Sequence, residues 1–348
     1  MEHKTFGKTG LKVPGIIFGS SMLGNLYETF PYETKLEVLQ TIFQHIPRPV
    51  VIDSAGKYGA GLALETLGNC LRDMGIADGD VIISNKLGWA RAPLMTPEPT
   101  FEPGVWFGLE HDAVQDISYN GILRCWEQGV ELLGGDYTTQ LVSVHDPDEY
   151  LDAATTDDDR KRRFDDVLGA YTALNELRDK GYVGAVGIGA KDWQIIQDIE
   201  SQVNLDWVML ANAYTLYTHP TDLVQFLDDL YEKQIAIVNA AVFNAGFLVG
   251  GDYFDYRKLN PDDPEDQEKF KWRERFFAVC DAQRIKPVEA CMQFGKSHPG
   301  IVALALNTSK PHRVKENVDM VEHDLPPTFW RALQDAGLLD HNHPHHKS

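Results

Sequence analysis

The stretch PVVIDSAGKYG, residues 49–59, sets the reading of the whole chain. A short β-branched run ends abruptly in an acid, a lysine, a tyrosine and glycines. That is the pattern of a buried parallel strand whose carboxyl end opens onto solvent. Two further segments repeat it, DVIISNKLG (80–88) and TTQLVSVHDPD (138–148). Asp53, Tyr58, Lys86 and His145 therefore sit at or just beyond three successive strand ends.

Working outward, strands and helices alternate. Strand-like runs occupy 13–21, 49–55, 80–87, 138–145, 183–189, 205–213, 235–242 and 300–307. Helical spacing of apolar residues marks 33–46, 61–74, 118–134, 164–180, 192–203, 220–233, stretches within 266–297, and 311–322. A hairpin turning at Thr9-Gly10 precedes them and an extra helix near 326–338 follows. Eight β-then-α units imply parallel strands with right-handed crossovers, and favour a closed (β/α)8 TIM barrel, an α/β fold, over an open sheet. The expected organisation is one barrel domain over 1–340 and a His-rich flexible tail over 341–348, carrying His341, His343, His345 and His346. Three stretches interrupt the rhythm: 89–117, rich in Pro and aromatics; 147–163, read as a solvated surface loop; and 250–268. The first and last follow strands and are expected to project from the carboxyl face, where barrel active sites lie.

The chain of 348 residues has 32 Lys and Arg against 52 Asp and Glu, a net charge of −20. That balance opposes nucleic acid and anionic membranes as partners, while leaving room for one phosphorylated cofactor in a local basic pocket. No apolar run reaches the ~18 residues of a membrane span. Cys70, Cys125, Cys280 and Cys291 show no CxxC or metal-ligand spacing, so buried reduced thiols and no metal are expected. With no apolar leader in MEHKTFGKTG, a cytoplasmic location is expected.

Tyrosine, with an ordinary pKa near 10, is a poor base at neutral pH unless a cation stabilises its phenolate. Lys86 supplies the cation, Asp53 a carboxylate to hold it, and His145 a group to polarise a substrate oxygen. Such a set suits proton exchange with an alcohol or carbonyl oxygen. None of the four accepts a hydride, so a redox reaction requires a nicotinamide. Singly, each has a plainer role: Asp53 as a cap, Lys86 as a strand-end lysine, Tyr58 as packing, His145-Asp146-Pro147 as a turn. Their joint placement argues for a site.

Together with YGAGLALETLG (58–68), GVELLGGDYTTQLVSVHDPD (129–148) and ALNELRDKGYVGAVGIGA (173–190), this set resembles the aldo-keto reductase superfamily over nearly the full chain. FGSSMLGNLY (18–27) and AAVFNAGFL (240–248) look like its aldose 1-dehydrogenase branch, which includes L-fucose and D-threo-aldose dehydrogenases and a pyridoxal dehydrogenase. The resemblance implies an NAD(P)-dependent oxidation of a free aldose at C1 to its lactone, with Tyr58 taking the proton. Alternatives within the superfamily are a carbonyl (aldehyde or ketone) reductase and a pyridoxal dehydrogenase. An alternative of another class is a non-catalytic cofactor-sensing subunit. NTSKPHRVKEN (307–317) resembles the family's phosphate-binding segment, with Arg313 and Asn317 matching and Asn307 standing where a lysine is common. Losing that cation leans the expectation toward NAD over NADP, with Lys310 and Arg313 nearby. Family positions after strands five, six and seven read Gly189-Ala190-Lys191, Ala211-Asn212 and Ala240-Ala241. Lys191, Asn212 or Asn244 is expected to take the carboxamide, with Phe243, Asn244 and Gly246 running along the cofactor. Met22, Trp89 and Tyr217 are the expected substrate contacts.

Overall fold

The computed structural model describes residues 1–255, 257–341 and 343. Eight parallel strands close into a barrel: β1 (Ile16–Gly19), β2 (Val50–Ala55), β3 (Val81–Leu87), β4 (Thr139–His145), β5 (Ala185–Ala190), β6 (Trp207–Ala211), β7 (Ala236–Ala240) and β8 (Ile301–Leu306). Each pairs with its neighbours in chain order and β8 returns to β1. Helices follow the strands on the outside, as a right-handed βα repeat requires.

Strand periodicity explains where the functional side chains point. One apolar cluster fills the barrel interior with Ile17, Val51, Ile82, Leu141, Ala185, Trp207, Met209, Val238 and Ala303. Residues of the same parity farther along each strand share that face, because strand side chains alternate with a period of two. Asp53, Lys86 and His145 have that parity. Register steps them toward the carboxyl end: Asp53 pairs with Ser84, Lys86 lies two residues farther on, between Ala55 and Ser143, and His145 lies two farther again, opposite Gly189. The other parity, including Val50, Ile52, Val142 and Val144, packs against the helices in a second, larger cluster.

The amino end of the barrel is plugged. An antiparallel hairpin, His3–Thr5 with Lys12–Pro14, lays Phe6 and Val13 into the interior cluster. Phe6 meets Trp207 at 6.0 Å between ring centroids. Trp207 fills so much of the lumen that β5 carries glycine opposite it.

Two expectations need correction. The segment 147–163 is not a plain loop: Pro147–Asp152 is helical, and the helix expected from 164 begins at Asp157. Thr156 caps it by accepting the Asp159 amide at 3.1 Å, and three aspartates in the first turn suit the positive helix end. Within 266–297 two helices form, Pro264–Gln283 and Pro287–Gly295, broken where Arg284 turns left-handed ahead of Pro287. The tail expectation does not extend to His343, which is buried against Tyr214, His219 and Phe294 because the strand-six loop offers it an aromatic pocket. His341 is exposed, while His345 and His346 lie outside the described residues.

The stretch 89–117 is a β-hairpin, Trp89–Pro93 with His111–Gln115, whose tip 94–110 lies on the carboxyl face. The second excursion forms a small hairpin, Tyr253–Phe254 with Arg257–Lys258. All four cysteines are buried and free. Among the described residues, no helix is long and apolar enough to cross a membrane.

A methyl group on Gly187 would come within 2.3 Å of the Trp207 ring. Gly187→Ala should destabilise the barrel by about 1–3 kcal/mol through overpacking. Urea unfolding measures this, and an unchanged midpoint would contradict the account of the lumen.

Candidate active site

Asp53 and Lys86 form an ion pair in the barrel's carboxyl end, both side chains nearly inaccessible. Ser84 donates to the other Asp53 oxygen at 2.8 Å, so the carboxylate is satisfied on both sides. Removing one partner of such a pair leaves an uncompensated buried charge and costs roughly 3–5 kcal/mol. The carboxylate therefore keeps the lysine protonated, and Asp53 and Tyr58 together raise the Lys86 pKa against the opposing effect of burial.

Tyr58 is set by its loop. Its amide donates to the Ala55 carbonyl at 3.1 Å, and its own carbonyl accepts from Ala63 at the start of the helix Leu62–Asp73. Gly59 follows at φ 60°, where an added Cβ would sit 2.4 Å from the Gly24 carbonyl oxygen. That close approach fixes the tyrosine against the loop after β1. The Lys86 ammonium lies 4.8 Å from the Tyr58 ring centroid, and the His145 ring meets the phenol edge-on at 5.7 Å. Burial raises the Tyr58 pKa, and the nearby lysine opposes this without reversing it. The tyrosine is thus a protonated phenol at neutral pH, held beside the cation that would stabilise its anion. Burial drives His145 well below its ordinary value, with Lys86 and Lys57 adding to the effect. It is a neutral imidazole.

The sequence reading missed the polar ring around this set. Lys57, the residue before the tyrosine, is buried and faces Glu102 at 2.8 Å and Asp146 and Glu149 at 3.3 Å each. Asp146 also lies 3.5 Å from His145 Nε2. Trp106, from the tip of the first hairpin, packs on the Tyr58 ring at 5.7 Å and donates its indole N–H to Glu102 at 2.6 Å. A signal was present: a lysine among apolar and glycine neighbours in AGKYG, and two acids flanking Pro147.

The other expected residues divide. Asn212, at the end of β6, is buried with φ 59° and with both amide atoms unpartnered. A buried amide lacking partners fits a ligand that offers both a donor and an acceptor. Gly189 is buried at the end of β5, its absent Cβ leaving room for the Lys86 stem at 3.3 Å. Lys191 instead turns to Glu149 in an ion pair. Asn244 is buried and donates to Asp255 at 3.2 Å, tying down the second hairpin, with Phe243 and Gly246 beside it. Asn307 donates to Ser21 at 2.5 Å. Lys310 precedes the helix Pro311–Glu322, which carries Arg313 and Asn317 in its first two turns. Lys310 and Arg313 are exposed and have no ion-pair partner among the described residues, which suits an anion at a helix N-terminus.

Met22 is buried in the turn after β1. Trp89 lies between Phe101, at 6.0 Å, and the Lys57 ammonium, 5.1 Å from its ring. Tyr217 stands apart from the tetrad's ring contacts and packs edge-on against Phe254 and Trp272. It anchors the second hairpin. No cluster of three or more His, Cys, Asp or Glu is arranged to hold a metal among the described residues.

The chain is similar to known proteins along its length. It is 29% identical to pyridoxal 4-dehydrogenase from Microbacterium luteolum, covering 97% of this chain and 98% of that one. It is 26% identical to D-threo-aldose 1-dehydrogenase from a Pseudomonas species, covering 95% and 96%. Its fold matches that of an aldo-keto reductase from Bacillus halodurans in its holo form, with a TM-score of 0.70, 18% identity, and 97% and 96% of the two chains covered. The model of the aldo/keto reductase family matches residues 15–337, and on that match the chain belongs to the aldo/keto reductase family of oxidoreductases.

Proposed function

We propose that this enzyme oxidises a free aldose at C1 to the lactone, using a nicotinamide dinucleotide. The observation that carries the reading is the Tyr58 phenol set between the Lys86–Asp53 pair and a neutral imidazole on the barrel's open face. The relative named D-threo-aldose 1-dehydrogenase supports the sugar. Pyridoxal is the second reading, favoured by the relative named pyridoxal 4-dehydrogenase.

When bound, the nicotinamide supplies the hydride acceptor or donor that no side chain here provides. Asn212 is the group proposed to hold its carboxamide, and Lys310, Arg313 and Asn317 its phosphates and adenosine. Asn307 engaged with Ser21, in place of a cation, leans the preference to NAD. In reduction the Tyr58 phenol gives its proton to the carbonyl oxygen; in oxidation it first releases that proton to water and then, as the phenolate, takes the proton of the C1 hydroxyl. Lys86 stabilises the phenolate as it forms, Asp53 holds Lys86, and neutral His145 orients the reacting oxygen.

A screen of NAD+ and NADP+ against free aldoses differing at C2 to C5, with pyridoxal included, tests the assignment by the appearance of reduced nicotinamide. Tyr58→Phe should lower kcat by at least about a hundredfold, the usual contribution of a positioned acid–base group, while sparing cofactor affinity. Full activity in that variant would sink the reading. Arg313→Ala should weaken cofactor binding about tenfold, as expected for one charge-assisted contact. Equal affinity in the variant would remove this segment from the phosphate site.

The pH dependence follows from His145. Its pKa is lowered, so protonation sets in only below the ordinary 6.5. Turnover should show no histidine limb between pH 6.5 and 8. A limb in that window that disappears in His145→Asn would show that the imidazole is charged in the working enzyme.

A further inference from the structure

Lys57 is a second buried lysine at the site, and the proton chemistry proposed above does not use it. Its side chain is 5% exposed, and its ammonium meets carboxylates from three separate places. Glu102 comes from the tip of the first hairpin, Asp146 from the residue after β4, and Glu149 from the short helix Pro147–Asp152. Lys191, beyond the end of β5, closes the ring by pairing with Glu149. A buried ammonium is held in place by such partners because losing them costs far more than losing a surface pair. The carboxylates raise the Lys57 pKa despite its burial, so the latch is charged at neutral pH.

Glu102 joins the lysine to the tryptophan. One oxygen takes Lys57 and the other takes the Trp106 indole N–H. Trp106 in turn covers the Tyr58 ring. The tip is otherwise joined to the loop after β1 by a narrow ladder. The Tyr27 amide donates to Val105 at 2.8 Å, the Phe107 amide to Asn25 at 3.2 Å, and the Asn25 side chain to the Phe107 carbonyl at 3.0 Å. Much of the remaining tip is exposed, with Met95 87% accessible. Besides this ladder, Phe101 and Trp106 pack with Ala60 and Ala113 in a small apolar cluster and Thr100 donates to Asp112, while the buried ionic attachment of the segment 94–110 runs through Lys57.

We infer that Lys57 is a positioning residue that latches the 94–110 segment through Glu102, so that Trp106 closes the substrate chamber over Tyr58. This rests on the assignment of Tyr58 as the proton-transfer group. The latch sets how tightly substrate is enclosed and how dry the phenol is kept, without touching the cofactor face. Its loss is expected in substrate KM more than in kcat, and not in cofactor affinity.

Hydrogen exchange on the full-length enzyme without substrate reads the latch directly. Lys57→Met and Glu102→Gln should each speed exchange at the Tyr27 and Phe107 amides, and the double variant should add little to either, since one contact is removed each time. Glu102 is partly exposed, so its variant keeps the test open if Lys57→Met does not fold. With substrate, both variants should raise KM about tenfold, the scale of one charge-assisted contact, with nicotinamide dinucleotide Kd unchanged. Exchange at these amides equal to wild type in both variants overturns the latch, as does faster exchange with unaltered KM. The exchange measurement needs no turnover, so it stands or falls apart from the reaction assignment, which Tyr58→Phe tests.

Discussion

The buried pair of Asp53 and Lys86 is the constraint on which the site depends. Two opposite charges sit at the top of a barrel lumen otherwise filled with apolar side chains. Their desolvation is tolerable only because each has its partner and the carboxylate has Ser84 as well. Once that pair is fixed, a phenol placed beside it gains a stabilised anion, and an imidazole placed beside it is kept from becoming a cation. Burial alone would leave the tyrosine an inert acid. The lysine makes its ionisation accessible to a bound reactant.

The barrel was legible in the sequence because parallel strands buried on both faces read as continuous β-branched runs ending in polar residues. Asp53, Lys86 and His145 were legible for the same reason, since those strand ends share one parity and one face, while Tyr58 stands in the loop that follows β2. Helix starts inside charged stretches were harder. Asp157–Asp179 begins in DDDRKRR, where no apolar periodicity exists, and only the Thr156 cap and the acidic first turn announce it. The Lys57 ring was hidden differently. Its members lie in four segments, and no spacing along the chain links Glu102 to Lys57.

Residues expected to contact ligand proved to have structural duties where a hairpin needed an anchor. Tyr217 is held between Phe254 and Trp272, and Asn244 reaches Asp255. Both stabilise the second excursion over the carboxyl face. Asn212 went the other way. Its φ is positive and its buried amide atoms have no partner among the described residues, so no structural duty accounts for it as one does for Tyr217 and Asn244. The family match establishes the scaffold and the reaction class; which substrate is taken is a matter for the site built on that scaffold.

The plug of Phe6 and Val13 against Trp207 makes the barrel a vessel with a single mouth. With that end closed, a reactant comes to the phenol from the carboxyl face. Substrate and product then compete for one passage, and a molecule seated deep in the chamber traps anything beneath it. Traffic through this enzyme is accordingly a matter of queueing at one gate, set by a hairpin at the far end of the barrel from the chemistry.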